Sequence, residues 1–276
     1  MYLRFPDFLN PNALSFRIFD INLSLTWYSL SYIFGIICAW YLIYSLTKKQ
    51  SLWHEKSPLN TKDVEDLMTY LILGIILGGR MGYVLFYNPS FYISSPISIF
   101  YLWEGGMSFH GGFIGVVLGA LYYCIRNKIS ILPMGDIIAV STPPGLFLGR
   151  LANFVNQELW GKPTTFFLGM EFTKFPANIC PKNWESEICI RHPSQLYESF
   201  GEGPLLFLIL FYISKLTLRP GIVSASFLIG YGLIRSIIEV FRQPDAHIGF
   251  LAGESLTLGQ LLSLPMIICG LSLIHI

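Results

Sequence analysis

The chain has 276 residues, of which 53% are hydrophobic, 16% aromatic and only 13% charged. Its formal net charge is +1 and its mean hydropathy is +0.55. These values exclude an ordinary soluble domain, and the absence of any basic tail or run gives no support to nucleic-acid binding.

Long apolar runs recur along the whole length, so the expectation is one all-α, polytopic integral membrane domain over residues 1–276. The N-terminal stretch carries Arg4, Asp7, Arg17 and Asp20 among apolar residues, without a basic n-region followed by a continuous core and a cleavage site. The first span is therefore expected to insert by itself. Spans are placed at Leu25–Leu46, Leu67–Tyr87, Phe109–Ile125, Met134–Leu151, Leu196–Leu216, Val223–Phe241 and Leu256–Ile274, each near the ~20 residues needed to cross. That makes about seven transmembrane helices. Pro143-Pro144 should kink the fourth or break it into half-helices.

Orientation follows from the basic residues of the short loops. Lys48, Lys49, Lys56 and Lys62 lie in the first connection, Arg126 and Lys128 in the third, Lys215 and Arg219 in the fifth, and the second has none. These loops are assigned to the cytoplasm, which puts the N-terminus outside (periplasmic) and the C-terminus inside. The long fourth connection, residues 152–193, carries Lys162, Lys174, Lys182 and Arg191 but obeys the rule poorly because of its length, and is read as a small external head. Cys180 and Cys189 both lie there, where an oxidising compartment permits a disulfide; the sequence leaves bridge and free thiols equally open. Cys38, Cys124 and Cys269 belong to span packing. No CxxC, HExxH or zinc-type spacing occurs, so no metal is expected.

Ionisable residues inside spans are expensive and mark candidate sites. Arg150, Asn153 and Gln157 stand at i, i+3, i+7 and share one face if their helix continues that far. Tyr231, Arg235 and Glu239 form an i, i+4, i+8 stripe, with Arg242 near the same face. A self-neutralising Arg235–Glu239 pair explains the second stripe alone equally well. Two such stripes facing each other make Arg150 and Arg235 a cationic pocket against Glu158 and Glu239. Guanidinium groups bind phosphate through forked hydrogen bonds, and a phospholipid headgroup is the abundant phosphate at that depth. Arg80 is a third arginine at a span.

His110 sits in Gly105-Gly106-Met107-Ser108-Phe109-His110-Gly111-Gly112, at the start of the third span. There the helix dipole disfavours imidazolium and leaves the neutral form a general base requires. The flanking glycines serve equally well as ligand approach or as helix-packing surfaces. The run Arg191-His192-Pro193-Ser194-Gln195-Leu196-Tyr197-Glu198 reads as a helix start, capped by His192 or Ser194, with a second histidine and a carboxylate nearby. Trp27 and Tyr28 suit an interfacial aromatic belt.

Together these segments resemble the bacterial phosphatidylglycerol–prolipoprotein diacylglyceryl transferase family. The resemblance runs through Trp27-Tyr28, Gly78-Gly79-Arg80 to Tyr87-Asn88, Gly106 to Gly112, Gly149-Arg150-Leu151-Ala152-Asn153-Phe154-Val155-Asn156-Gln157-Glu158-Leu159-Trp160-Gly161, His192 to Glu198, Tyr231 to Glu239 and Phe241 to Asp245. The element from Gly149 to Gly161 is the most specific, with Ala152 where many members have glycine.

The resemblance implies a monomeric inner-membrane enzyme, without cofactor, that moves the diacylglyceryl group of phosphatidylglycerol onto the lipobox cysteine of a preprolipoprotein signal peptide and releases glycerol-1-phosphate. The family's functional positions fall on His110, Arg150, Tyr231, Arg235 and Glu239 for catalysis, and on Tyr28, Arg150, Asn153, Glu158, Gly161 and Arg235 for the lipid. Two rival classes remain in view. A membrane anion or lipid transporter would use the same arginine-lined pocket but predicts repeat symmetry, which inspection does not find. An intramembrane serine hydrolase built on Ser108 and His110 would need two side chains at i, i+2 to converge, and no GxSxG occurs.

Overall fold

The structure is a computed structural model and describes residues 2–18, 21–49, 57–102, 105–180, 188–244 and 256–275. Asp20 of the N-terminal stretch, Lys56 and Lys182 of the basic connections, and Asp245 at the end of the last family segment, lie outside the described residues. Ten helices are described: α1 (Trp27–Thr47), α2 (Val64–Phe86), α3 (Pro89–Ser94), α4 (Phe109–Asn127), α5 (Ile131–Ser141), α6 (Pro143–Val155), α7 (Ser194–Phe200), α8 (Leu206–Leu216), α9 (Ile222–Ile238) and α10 (Leu258–Ile274). Every expected span coincides with one of these helices or with a broken pair of them.

The stretches Trp27–Thr47, Thr61–Phe86, Ile131–Val155 and Ser194–Leu216 are each long and apolar enough to cross a membrane, and Ile222–Ile238 and Leu258–Ile274 are shorter apolar helices. Their outer faces are apolar too: Phe34, Tyr41, Leu77, Leu208 and Tyr212 are exposed. Water penalises such a surface and lipid favours it, so the chain is a polytopic membrane protein.

Two of the helical spans are broken. Pro143 opens α6 immediately after Thr142, whose hydroxyl donates to Ile138 O at 2.8 Å, so the expected proline break falls between α5 and α6. Between α7 and α8 the chain makes a π-helical turn over Gly201–Leu205, with Gly203 at φ −95°, ψ −105° and Pro204 beside it. Proline supplies no N–H to the ladder and glycine tolerates the distortion.

The described chain divides into two compact units, Ile43–Ile137 and the remainder, Met1–Leu42 with Ile138–Ile276. In Ile43–Ile137 the dominant contact is α2 against α4. Gly74, Gly78 and Gly82 on α2 recur every fourth residue, as do Gly111, Gly115 and Gly119 on α4, and the two rows interlock. A Cβ on Gly115 would lie 1.9 Å from Gly74 O, and one on Gly111 would lie 2.2 Å from Gly78 O. Backbones this close exclude any side chain, the small-residue mode of helix association in lipid.

In the larger unit, α9 packs on α10 through Gly232 and Gly270, whose added Cβ atoms would meet Ser263 O at 3.1 Å and Ala225 O at 2.8 Å. Thr257 caps α10 in a capping box with Gln260. The N-terminal stretch forms strands in addition to what the sequence predicted. β2 (Asn12–Ile18) and β3 (Ile21–Thr26) pair antiparallel ahead of α1, and β1 (Leu3–Arg4) joins a small sheet in the order β1-β4-β5, with β4 (Met170–Glu171) and β5 (Ile190–Arg191). Described residues from the stretch expected as a head thus pack together with the N-terminal strand. Phe5, Phe154, Met170, Phe172 and Ala177 form a buried core there. Cys180 and Cys189 are joined as a disulfide, Cα to Cα 5.1 Å.

Candidate active site

The second half of α6 carries Arg150 and Asn153 on one face, but the helix ends at Val155 and the expected third member leaves that face. Gln157 takes φ +51° and turns its amide into the head, where Oε1 accepts from Thr173 N at 2.9 Å and Lys174 N at 3.0 Å. The three-residue polar face required the helix to continue to Gln157; it ends at Val155, so a two-residue stripe exists.

Opposite Arg150 stand two carboxylates four residues apart on the α7 segment and its π turn. Arg150 Nη1 meets Glu198 Oε2 at 3.1 Å and Arg150 Nε donates to Glu202 Oε2 at 3.0 Å. The other oxygen of Glu198 receives Arg235 Nη1. Arg235 Nη2 continues to Glu239 Oε2 at 2.8 Å, and Arg242 Nη1 reaches the same oxygen at 3.8 Å. The i, i+4 stripe expected on α9 is therefore present, and Tyr231, one turn before Arg235, is buried. Glu198 and Glu202 are 0% exposed and Arg235, Glu239 and Arg242 nearly so.

Arg150 and Arg235 are thus brought together by sharing Glu198, but the partner expected for Arg150 is replaced. The Glu158 carboxylate accepts instead from Asn153 Nδ2 at 2.7 Å and Asn156 Nδ2 at 3.5 Å, because the reversal after Val155 carries it away from the helix face. The arrangement is a chain of alternating charge, Glu202, Arg150, Glu198, Arg235, Glu239, Arg242, rather than a cationic pocket. Burying six charges is tolerable only because each faces an opposite one, and removing any single partner strands the other. Of the three arginines, Arg150 has the most exposed side chain, at 16%. Arg150 meets these carboxylates through Nη1 and Nε, and its greater exposure makes it the guanidinium best placed to receive an outside anion.

Gly161 has a structural reason to lack a side chain. Its N–H donates to His192 O at 2.9 Å, Lys162 N–H donates to Phe241 O at 2.8 Å, and an added Cβ would lie 2.5 Å from His192 O and 2.7 Å from Phe241 O. The segment is a strap between the end of α9 and the entry to α7. At that entry neither expected cap operates: Pro193 holds the cap position and Ser194 Oγ donates to Leu159 O at 3.0 Å. Gln195 Nε2 donates to Glu158 O at 2.6 Å. Arg191 is buried and spends its guanidinium on Ala177 O, Ile179 O and Gly161 O, at 2.7, 2.7 and 3.3 Å. Burial pushes its pKa down, and burial lowers that of His192 as well. His192 is ringed by Phe166, Tyr197 and Phe241, with Nδ1 3.3 Å from the Tyr197 hydroxyl. Tyr28, in the first turn of α1, packs its ring on Tyr32, centroids 5.3 Å apart.

In Ile43–Ile137, His110 is the second residue of α4 and is exposed, and Ser108 caps that helix by accepting from Gly111 N at 3.2 Å. Of the glycines beside it, Gly111 serves helix packing, whereas the nearest atom to a Cβ on Gly112 would be 3.7 Å away. Gly105 and Gly106 take φ +83° and +82°, a left-handed bend that turns both carbonyls onto Arg80. Arg80 also donates to the carbonyls of Ser98, Ile99 and Tyr101, so this arginine organises the chain leading to His110.

Of the two carboxylates that meet Arg150, the sequence singled out Glu198 only as a carboxylate beside a helix start, and Glu202 not at all. Glu202 lies inside the expected span Leu196–Leu216, four residues after Glu198 and next to Gly203-Pro204. A carboxylate in a span was itself the signal.

The Prolipoprotein diacylglyceryl transferase family profile matches residues 16–276. Curated proteins named phosphatidylglycerol–prolipoprotein diacylglyceryl transferase are similar over almost the whole chain. That of Cereibacter sphaeroides is 47% identical, covering 99% of this chain and 97% of its own. That of Bradyrhizobium diazoefficiens is 46% identical, covering 99% and 93%. That of Rickettsia felis is 47% identical, covering 93% and 94%. With a profile match and near-full-length relatives on top of six apolar helical stretches among the described residues and a buried arginine network, the chain belongs to the prolipoprotein diacylglyceryl transferase family.

Proposed function

We propose that this protein transfers the diacylglyceryl group of phosphatidylglycerol to the lipobox cysteine thiol of a preprolipoprotein, forming a thioether and releasing glycerol-1-phosphate. The observation that carries the reading is the pair of buried arginines bridged by Glu198 in a chain of this family. The sulfur forms a bond to the glyceryl carbon while the carbon–oxygen bond to phosphate breaks, and the bonding pair leaves on the phosphate oxygen. The phosphodiester becomes a monoester and gains negative charge, so arginines held on it stabilise the transition state more than the ground state.

Arg150 and Arg235 take that role, with Glu239 and Tyr231 holding Arg235 and Asn153, Glu158 and Tyr28 ordering the headgroup. Gly161 keeps the strap closed against α7 and α9. A thiol, with pKa near ~8.5, must lose its proton to attack, and His110 is the proposed base. The same arginines would serve an anion carrier, but family membership favours transfer chemistry.

The same reading takes the protein as a single transferase domain of the bacterial inner membrane, acting as a monomer, with the head and N-terminus periplasmic and the C-terminus cytoplasmic. Basic residues in alternate short loops and the Cys180–Cys189 disulfide in the head support this orientation.

The test is a reconstituted assay with headgroup-labelled phosphatidylglycerol and a lipobox peptide. Thioether formation with stoichiometric glycerol phosphate release is expected. Neither product, or equal yield from a Cys→Ser peptide, overturns the reading. His110→Gln should be inactive near neutrality and regain activity as pH rises toward the thiol pKa; a flat, low profile removes His110 as the base.

A further inference from the structure

Arg150 is approached from three helices of the larger unit. Glu198 and Glu202 meet it from the α7 side at 3.1 and 3.0 Å, and Tyr231 of α9 stands close enough to interact with its charge. The third helix is α1, where only Tyr28 has been given a role so far.

α1 and α6 touch at glycine. An added Cβ on Gly35 would lie 3.1 Å from Gly145 Cα, so the two backbones come close at that level. The start of α1 and the end of α6 both lead to the N-terminal segment: Trp27 N–H donates to Pro11 O at 3.1 Å, and Phe154 packs on Phe5 with ring centroids 5.3 Å apart. Followed that way from the glycine contact, α1 reaches Tyr32 after three residues and α6 reaches Arg150 after five, ~4.5 and ~7.5 Å along their axes. Helical side chains lean toward the N-terminus of their own helix. On two helices running in opposite directions, that lean carries Tyr32 and Arg150 toward one level.

Tyr28, Tyr32 and Gly35 stand at i, i+4, i+7 on one face of α1. The two tyrosine rings pack with centroids 5.3 Å apart, and the Tyr32 hydroxyl interacts with that of Tyr28 and with the charge of Arg150. Tyr32 is 48% exposed, whereas Tyr231, Glu198 and Glu202 are buried. A tyrosine that serves only as an interfacial anchor aims its hydroxyl at the membrane surface rather than at a buried arginine. Tyr32 combines access from outside with a hydroxyl turned toward the site. Beside it on α6 there is room, since among the described residues nothing lies within 4 Å of an added Cβ on Gly149.

A tyrosine hydroxyl is uncharged and both donates and accepts. Arg150 already supplies the cation that a phosphate requires, so a hydroxyl pair next to it adds a match for a neutral polyol. The glycerol of a phospholipid headgroup fits, because its hydroxyls also donate and accept and are attached directly to the phosphate.

We propose that Tyr32 is a specificity-determining residue: together with Tyr28 it hydrogen-bonds the glycerol hydroxyls of the lipid headgroup while Arg150 holds the phosphate. The inference rests on phosphatidylglycerol being the diacylglyceryl donor. It goes further by assigning the residue that separates this donor from other phospholipids of the same charge.

The experiment compares phosphatidylglycerol with phosphatidylpropanol as donors to a lipobox peptide, using the full-length protein in detergent micelles. Phosphatidylpropanol has the same charge and nearly the same size but no headgroup hydroxyl. The wild type should prefer phosphatidylglycerol by about tenfold or more in kcat/KM, because a site built to hydrogen-bond a hydroxyl rejects the analogue lacking it. Tyr32→Phe should lose about tenfold with phosphatidylglycerol and nothing with phosphatidylpropanol. Equal losses with both lipids assign Tyr32 to the phosphate or to the fold and overturn the proposal, as does a Tyr32→Phe protein that keeps the wild-type preference. Should thermal unfolding in detergent show that Tyr32→Phe does not fold, Tyr32→Leu is read by the same ratio. Equal use of the two lipids by the wild type overturns the proposal without any variant and leaves the transferase reading standing. No thioether from either lipid defeats the transferase reading and this inference with it.

Discussion

Glu198 is the joint of the charged network, and replacing it with glutamine tests whether that network sets the arginines in place. The carboxylate is 0% exposed and gives one oxygen to each arginine, 3.1 Å to Arg150 Nη1 and the other to Arg235 Nη1. Glutamine has the same shape, but its NH2 must face one of two guanidinium groups, donor against donor, and one negative charge is gone. Breaking a buried pair by removing one partner costs about 3–5 kcal/mol. Arg150 retains Glu202 and Arg235 retains Glu239, which places the cost near the lower end, about 3 kcal/mol. Expressed wholly in the transition state, this is a loss of about 10²-fold in kcat/KM. The assay is phosphatidylglycerol-dependent thioether formation by reconstituted protein, with thermal unfolding in detergent to apportion the loss between stability and rate. A Glu198→Gln protein within threefold of wild type in rate and with unchanged melting would refute the reasoning, since the shared carboxylate would then not be holding the arginines.

Arg150→Ala and Arg235→Ala should each reduce turnover by about 10²- to 10³-fold while leaving insertion intact, as measured by membrane extraction and single-turnover rates; a near-normal rate in either removes that arginine from the site. Gly115→Ala should destabilise by about 1–3 kcal/mol, because its Cβ would lie 1.9 Å from Gly74 O, whereas Gly112→Ala, with nothing closer than 3.7 Å, should be neutral. Denaturant titration compares the two, and equal effects would dissolve the glycine seam. Burial lowers the His192 pKa from 6.5, so the folded protein binds fewer protons there than the unfolded chain. Its contribution to stability is therefore complete above the unfolded value and is lost as pH falls toward the folded one. His192→Phe should flatten that part of the melting temperature against pH, and an unchanged profile would assign the acid sensitivity elsewhere.

The helices were legible because their cause is local. A run of about twenty apolar residues must satisfy its own backbone in lipid, and Pro143-Pro144 can only break the fourth run. The Arg235–Glu239 stripe was legible for the same reason, since i, i+4 on one helix needs no fold to be known. The end of α6 was not, because nothing in Asn156-Gln157-Glu158 by itself dictates the left-handed Gln157; the head does, by binding its amide to Thr173 and Lys174. Glu202 carried a readable warning as a carboxylate within a span, but its partner lies 52 residues away and depends on the π turn.

The sequence by itself therefore determined the spans, the polar residues that do not belong in them, and the family. Only the tertiary structure decided that the arginines alternate with carboxylates, that Glu198 and Glu202 rather than Glu158 are the partners of Arg150, and that the N-terminal strand packs on the stretch expected as a head. Helix formation follows from hydrophobicity and hydrogen bonding within a few residues, whereas buried ion pairs form between segments remote in sequence and exist only where packing holds both partners away from water.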